Sequence, residues 1–254
     1  MSEIPRDSHV ESSLSLLSEG YTFISSRCQR FGSDLFQVRL LMQNTICMSG
    51  EEAARLFYDE RLFQREHAAP RVLQKTLFGL GGVQGLDDDA HRHRKQLFLS
   101  LLGDEAVAEL VRLSEANWQA AIEAWQRCDR VVLLPEVQAI LTRAVCEWAG
   151  VPLGDDEVTL RRDQLAAMID GAGGVGIRHW HARKARKEAE DWLIELIRGV
   201  RSGALRIDDS RALAVVARYQ DANGVELDEH VAAVELLNLL RPTVAVARFV
   251  IYAA

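Results

Sequence analysis

Arg241 is the residue whose type and surroundings point most clearly to chemistry, since it stands with Pro242 inside a long apolar segment of the 254-residue sequence. A buried guanidinium keeps its charge and therefore needs an anion. None of its neighbours at helical spacing is acidic: Leu237, Asn238, Val244 and Ala245. Pro242 gives no N–H to the carbonyl of Asn238, so we expect a kink with a free acceptor beside the guanidinium. The pair predicts a site for an amphipathic ligand whose carboxylate binds Arg241, with a distant protein carboxylate as the alternative partner.

A second group of charged residues lies in the segment DDDAHRHRKQLFL, which begins at Asp87. Three aspartates are typical of a helix N-terminus, where they can cap the helix and favour its dipole. Arg94 and Lys95 lie three and four residues after His91 and share a helix face with it, so this basic face could hold one dianionic group. The alternative is a solvated basic face. His91 and His93 point in different directions on a helix, which makes the pair a poor metal chelate.

Three other polar or aromatic residues carry little information on their own. Arg65 and Gln84 predict surface contacts, and Phe78 predicts a core position. Glycines mark two irregular segments, one with Gly79, Gly81, Gly82 and Gly85 and one with Gly171, Gly173, Gly174 and Gly176. Neither segment has the spacing of a dinucleotide or phosphate loop, and no nucleophile elbow is present. The sequence therefore does not support a hydrolase.

Composition excludes several classes of protein. The 30 basic and 37 acidic residues give a net charge of -7, so no global basic field favours nucleic acid or anionic lipid. The four cysteines lie far apart without metal spacing, which predicts buried thiols in a reducing compartment: Cys28, Cys47, Cys128 and Cys146. The polar N-terminus has no signal-peptide pattern, so we expect a cytoplasmic protein.

Hydrophobic periodicity indicates that mainly helices position these residues. Ser13 to Arg30 predicts one helix with an interruption at Gly20, and Leu35 to Met48 predicts a β hairpin that turns at Gln43-Asn44. Further helices are predicted at residues 51–58, 104–127, 135–149, 155–170, 180–201 and 228–254. The apolar segment Val231 to Ala254 predicts a buried core helix rather than a membrane span, since several costly polar groups interrupt it. It has no stop signal, so we expect the sequence to be cut there.

Long stretches of the sequence resemble the fatty-acid peroxygenases of the cytochrome P450 superfamily, which hydroxylate long-chain fatty acids with hydrogen peroxide. The strings that carry the resemblance are SLLSEGYTFI, DLFQVRLL, FYDERLFQRE, QKTLFG, GVQGLDDDAHRHRKQLFLSLL, TRAVCEWAGVPL, GIRHWHARKAR and AAVELLNLLRPTVAVA. They occur in order and cover almost the whole sequence. The resemblance implies the mainly α cytochrome P450 fold with a small β hairpin.

The resemblance also implies a role for each site residue. Arg241 and Pro242 correspond to the Arg-Pro pair on the long helix over the haem, where the guanidinium holds the substrate carboxylate, which acts as general acid-base. Gln84 corresponds to the residue over the distal haem face, and Phe78 to its neighbour along the alkyl chain. Members that form alkenes tend to have histidine at the position of Gln84, so glutamine argues for hydroxylation. The propionate contacts of haem b would be Arg65, His91 and Lys95.

One departure from the family is that the proximal cysteine and the preceding ExxR helix lie later than the point where this sequence stops. We therefore expect residues 1–254 to be an incomplete single P450 domain, the N-terminal part only, without a metal ligand and inactive alone. Arg248, where the family has a small or apolar residue, could compete for the carboxylate or meet solvent. The full-length parent would need no redox partner protein. The alternatives are a non-catalytic fatty-acid or haem-binding helical protein and a fragment without a stable fold.

Overall fold

The computed structural model describes residues 3–59, 61–172 and 176–253 of the chain. These residues form two compact units, Met1–Gln64 and Arg65–Ala254, here called unit 1 and unit 2. The predicted mainly α fold with a small antiparallel hairpin is confirmed. Gly173 and Gly174 of the second glycine segment, and Ala254 of the last predicted helix, lie outside the described residues.

Unit 1 contains three short helices and one hairpin. The elements are α1 (Ser13–Glu19), α2 (Thr22–Phe31), β1 (Leu35–Leu40), β2 (Gln43–Met48) and α3 (Glu51–Phe57). The predicted interruption at Gly20 is confirmed, since this residue ends α1 with a φ of 55°. A small core of Phe23, Phe36, Val38 and Cys47 lies between α2 and the hairpin.

The hairpin turns at Leu41-Met42 and not, as predicted, at Gln43-Asn44. The strands pair from Leu35 opposite Met48 to Leu40 opposite Gln43, which leaves a two-residue loop. Both loop residues have positive φ, 49° and 63°, as such tight hairpin loops require. The side chains of Ser13 and Glu11 accept hydrogen bonds from the Leu41 and Met42 N–H groups at 2.7 and 2.9 Å. These contacts from outside the hairpin fix a turn that its own sequence does not favour.

Arg27 of α2 is buried in unit 1 and is surrounded by acceptors. Its Nε lies 2.7 Å from Asp7 Oδ2, and its Nη1 lies 2.7 Å from Glu19 Oε2. Nη1 also donates to the carbonyl oxygen of Phe23, and the guanidinium lies 3.7 Å from the centroid of the Phe23 ring. The hydrogen bonds that Arg27 donates to Glu19 and Asp7 raise the pKa of Arg27. The charge of this arginine is fully compensated within the unit.

Unit 2 is a bundle of helices with two irregular turns near its N-terminus. It contains α4 (Arg71–Leu73), a π-helical turn (Gln74–Phe78), a 3₁₀ turn (Val83–Gly85), α5 (Asp88–Leu101), α6 (Asp104–Trp125), α7 (Leu133–Ala149), α8 (Val158–Asp170), α9 (Ile177–Ser202), α10 (Ala212–Ala217), α11 (Glu229–Ala245) and α12 (Ala247–Ala253). The predicted helices from residue 104 to 201 are confirmed within a few residues. The predicted helix 228–254 is instead two helices, separated at Val246. Sequence periodicity did not predict α10 or either turn.

Helix α11 lies in the centre of unit 2, packed against α7, α8, α9 and α10. It is buried on all sides from Ala232 to Arg241, as expected for a helix segment that is mostly apolar around its circumference. Asp228 caps it by accepting a hydrogen bond from His230 N at 2.9 Å. The predicted core position holds for α11 but not for α12, because Phe249 and Tyr252 are exposed. Within the described residues, no helix is both long enough and apolar enough to cross a bilayer.

Candidate functional site

A cavity of about 180 Å³ in unit 2 contains three of the predicted site residues, Arg65, Phe78 and Gln84. Its other lining residues include the glycines of the first irregular segment: Gly79, Gly81, Gly82 and Gly85. Glycines allow a ligand to approach the backbone closely. Arg241 and Pro242 do not line this cavity.

Phe78 is positioned by the π-helical turn, in which Gly79 N donates to Gln74 O at 2.8 Å across five residues. Such turns are rare and often occur at functional sites. Gly79 ends the turn with a φ of 86° and a ψ of 154°, a conformation available almost only to glycine. Arg186 of α9 donates to the Leu77 carbonyl at 2.8 Å and so fixes the end of the turn. Phe78 therefore lies in a π-helical turn whose end is held in place by a hydrogen bond from a buried cation.

Arg186 is 2% exposed and carries its own counter-ion. Its Nε lies 2.6 Å from Glu190 Oε1, one helical turn further along α9. Burial lowers the pKa of Arg186, and Glu190 opposes that effect. Sequence analysis did not select this pair, although the spacing of four residues between Arg186 and Glu190 is a readable signal.

Gln84 lies in the 3₁₀ turn and is held from α11. Its Oε1 accepts a hydrogen bond from Asn238 Nδ2 at 3.2 Å, and Asn238 Nδ2 also donates to Glu235 Oε2 at 3.3 Å. Arg94 of α5 donates to Glu235 Oε1 at 2.7 Å. Burial raises the pKa of Glu235, while the ion pair with Arg94 opposes this. From the sequence, Glu235 and Asn238 share only their position as costly polar groups in an apolar segment. The structure joins them in one hydrogen-bond network.

Arg241 is 8% exposed in the middle of α11. Among the residues that the structure describes, no carboxylate forms an ion pair with it, and its Nε has no hydrogen-bond partner. Burial lowers the pKa of Arg241 to about 10, and the positive charge of Arg186 acts in the same direction. The alternative in which a distant Asp or Glu neutralises Arg241 therefore finds no such residue in the described part of the chain. Pro242 is exposed, and the helix continues past it to Ala245.

The three predicted propionate contacts occupy different environments. Arg65 lines the cavity, and its Nη1 lies 3.9 Å from Asp87 Oδ1. Asp87 also accepts hydrogen bonds from the backbone N–H groups of Arg65 and Glu66, at 2.7 and 2.9 Å. His91 is buried, whereas Lys95, one turn later on α5, is exposed. The shared face of α5 thus runs from the interior at His91 to the surface at Lys95.

Arg248, unlike Arg241, has a carboxylate partner among the described residues. It lies on α12, is half exposed to solvent, and forms an ion pair with Asp170 at the end of α8. That Arg248 could compete for a ligand carboxylate stays a prediction.

The cysteines correct one prediction, because they are not all buried thiols. Cys47 and Cys146 are buried, Cys28 is partly buried and Cys128 is exposed. Burial raises the pKa of Cys146 to about 12, so it is a protonated thiol at neutral pH. Within the described ranges, no three His, Cys, Asp or Glu side chains cluster as a metal site.

Several solved structures resemble the chain, although no family model matches it. Cytochrome P450EX alpha (CYP152N1) with myristic acid is 40% identical with a TM-score of 0.93, and the match covers 99% of this chain and 61% of that chain. Cytochrome P450SP alpha (CYP152B1) in complex with (R)-ibuprophen is 46% identical with a TM-score of 0.91, covering 94% and 59%. A variant of cytochrome P450 OleT in complex with arachidonic acid is 28% identical with a TM-score of 0.95, covering 99% and 62%.

The chain matches the CYP152 cytochromes P450 in sequence and in fold. The resemblance to the fatty-acid peroxygenases and the P450 fold are thereby confirmed. The chain spans about three fifths of the length of each of these CYP152 structures.

Cytochromes P450 bind haem b, and of the three residues predicted to hold its propionates only Arg65 lines the cavity. Arg65, His91 and Lys95 offer the cationic or N–H donors that two propionates need. A Cβ at Gly82 would lie 3.0 Å from Gln84 Oε1 and 3.0 Å from Val234 Cγ1, so this glycine allows the segment before Gln84 to pack closely against α11. No described cysteine lines the cavity.

Proposed function

We propose that the protein containing this chain uses hydrogen peroxide to hydroxylate long-chain fatty acids at the α or β carbon. The observation that carries this proposal is the buried Arg241, which lacks a carboxylate partner among the described residues. A cation in that position is best satisfied by the head group of an acid ligand. The ligands in the three similar structures, myristic acid, (R)-ibuprophen and arachidonic acid, are all carboxylic acids.

Each site residue has a distinct task in this proposal. Arg241 binds the substrate carboxylate, ideally through two parallel N–H donors, and so fixes the distance from the head group to the reacting carbon. Phe78 packs along the alkyl chain. Gln84 donates a hydrogen bond into the cavity. The bound carboxylate lies beside the peroxide and moves its proton from one oxygen to the other, as a general acid-base.

The reaction balances without an external electron donor. One C–H bond and the O–O bond break, and one C–O bond and one O–H bond form, giving a hydroxy acid and water. The carbon loses two electrons and the peroxide gains them, so no redox partner protein is required. When bound, haem b supplies the iron at which the peroxide is activated, and Arg65, His91 and Lys95 would hold its propionates.

The domain and location of the protein follow from the same proposal. Residues 1–254 would form part of one catalytic P450 domain, since the similar structures match 94% to 99% of the chain. The four cysteines are free thiols, in keeping with the reducing cytoplasm. That residues 1–254 alone are inactive stays a prediction.

The test is product analysis with the protein expressed from its complete reading frame. Myristate and hydrogen peroxide should give 2- or 3-hydroxymyristate, whereas tetradecane, which lacks the carboxylate, should give no product. Supplying an NADPH-dependent reductase in place of peroxide should also give none. Equal turnover of tetradecane would contradict the role of the carboxylate. Tight binding of myristate without any product would instead support the non-catalytic fatty-acid binder.

A further inference from the structure

A buried hydrogen-bond network runs from Arg94 through Glu235 and Asn238 to Gln84. Glu235 determines which group donates and which accepts at each step of this network. Glu235 is fully buried and 2.7 Å from Arg94, whose own side chain is 11% exposed. An ionised carboxylate can only accept hydrogen bonds. A backbone hydrogen bond from Val83, beside Gln84, is directed at the same carboxylate. Every group that faces Glu235 must therefore present a donor to it.

Asn238 donates to Glu235 as required, but its own side-chain oxygen is left without a hydrogen bond among the described residues. Its Nδ2 has two hydrogens, and these serve Glu235 Oε2 at 3.3 Å and Gln84 Oε1 at 3.2 Å. Its Oδ1 is buried and has no hydrogen-bond partner in the described part of the chain. Rotating the amide by 180° would turn Oδ1 toward two acceptors, which is worse than leaving one acceptor unpaired.

The hydrogen bond from Asn238 determines the orientation of the Gln84 side-chain amide. Because Asn238 presents N–H groups, Gln84 must offer its carbonyl oxygen to α11, and its Nε2 hydrogens remain for the other side. Gln84 lines the cavity, and its Nε2 donates no hydrogen bond to any described residue. The side of Gln84 that faces the cavity is thus a donor.

We infer that Glu235, anchored by Arg94, is a positioning residue that fixes Gln84 as a hydrogen-bond donor to oxygen ligands in the cavity. Ligands with an acceptor oxygen, such as a peroxide or a carboxylate, suit this polarity. The inference deepens the proposed function and rests on it for the identity of the ligand. The direction of the network rests only on the contacts within unit 2.

A reversal of the polarity provides the sharpest test. The double variant Glu235→Gln with Asn238→Asp keeps the size and the total charge of the network but moves the carboxylate next to Gln84. An aspartate at position 238 accepts only, so Gln84 should turn its amide nitrogen inward and its carbonyl oxygen toward the cavity. In ¹⁵N-labelled full chain, exchange of the Gln84 side-chain hydrogens with solvent should become at least tenfold slower than in the natural sequence.

A matched control separates polarity from general destabilisation. Glu190→Gln removes the carboxylate of another buried Arg–Glu pair in the same unit, with no contact to Gln84. This control should leave the exchange of the Gln84 amide unchanged. Unchanged exchange in a folded double variant would overturn the inference.

The natural sequence supplies a second measurement, which holds even where the double variant does not fold. Both Asn238 side-chain hydrogens should be protected from exchange and both Gln84 hydrogens should not. Protected Gln84 hydrogens, or unprotected Asn238 hydrogens, would contradict the inference. The exchange pattern needs no bound substrate, so an absence of myristate binding or turnover would count against the proposed function and not against the network.

Discussion

Two buried arginines, one in each unit, show how differently a protein can treat the same charged group. Arg27 of unit 1 is 4% exposed and Arg241 of unit 2 is 8% exposed. Arg27 contacts two carboxylates, a backbone carbonyl and an aromatic ring. Arg241 has no carboxylate partner within the described residues, and the charged group that affects its pKa is another cation, Arg186.

The pKa values move in opposite directions for this reason. The hydrogen bonds that Arg27 donates to Glu19 and Asp7 raise its pKa, whereas burial without a counter-ion lowers the pKa of Arg241 to about 10. A protein that buries a cation for stability surrounds it with anions. A buried cation without an anion costs stability, so its retention indicates a ligand that supplies the missing charge.

The largest expected difference lies in stability. Arg27→Met leaves Asp7, whose side chain is fully buried, without its main partner, and should cost unit 1 about 3–5 kcal/mol. Arg241→Met removes an uncompensated charge and should leave unit 2 equally or more stable. Hydrogen exchange followed by mass spectrometry measures each unit separately. A loss of several kcal/mol in unit 2 for Arg241→Met would mean that protein groups already satisfy this guanidinium.

The two units also differ in the space available for a side chain at a glycine, as Gly79 of unit 2 and Gly32 of unit 1 show. A Cβ at Gly79 would lie 2.3 Å from Arg186 Nη2 and 2.4 Å from Val234 Cγ1, at a φ of 86°. Gly79→Ala should therefore cost ~2–4 kcal/mol through backbone strain and overpacking. Gly32 of unit 1 also has positive φ, but a Cβ there meets nothing within 4 Å. Gly32→Ala is the matched control and should cost about 1 kcal/mol in chemical denaturation. Equal costs would show that the packing around Arg186 yields easily.

Sequence reasoning found Arg241 because its evidence is local. The apolar residues on both sides predicted burial, and the helical neighbours predicted the lack of a partner, so one helix sufficed. The same reasoning predicted the main helices of unit 2, whose apolar faces repeat over many residues. It failed where contacts from elsewhere decide. The hairpin turn at Leu41-Met42 depends on Glu11 and Ser13, which nothing in the hairpin sequence reveals.

The polar network shows the same limit at the site. Arg94 and Glu235 are 141 residues apart in sequence, and only the fold makes them a pair. Periodicity placed Arg94 on a basic face and Glu235 among interruptions of an apolar segment. Gln84 and Phe78 gained a role only through family resemblance, since single residues in loops carry no periodic signal. Residues that act through long-range contacts are those that a single sequence conceals.

Affinity for a fatty acid tests the unpaired cation directly. A charge-assisted hydrogen bond contributes about 1.5–3 kcal/mol, so Arg241→Met should weaken myristate binding roughly 10- to 150-fold. Arg248→Met is the control, because this arginine lies only seven residues further along but pairs with Asp170 at the surface. Isothermal titration calorimetry should find its dissociation constant within about twofold of the natural protein. Similar losses in both variants would indicate non-specific attraction.

The smallest expected effect is the pH dependence of that binding. With a folded pKa of about 10, well below that of a solvated guanidinium, Arg241 loses its proton in the folded chain first. Stability should therefore rise as the pH increases above about 10, since the unfolded chain holds more protons there. Myristate affinity should instead fall, by about tenfold from pH 9 to pH 11, as the charged fraction of Arg241 falls. In Arg241→Met the weaker affinity should stay flat over this range. A parallel fall in both proteins would assign the titration to another group and leave Arg241 charged throughout, like Arg27.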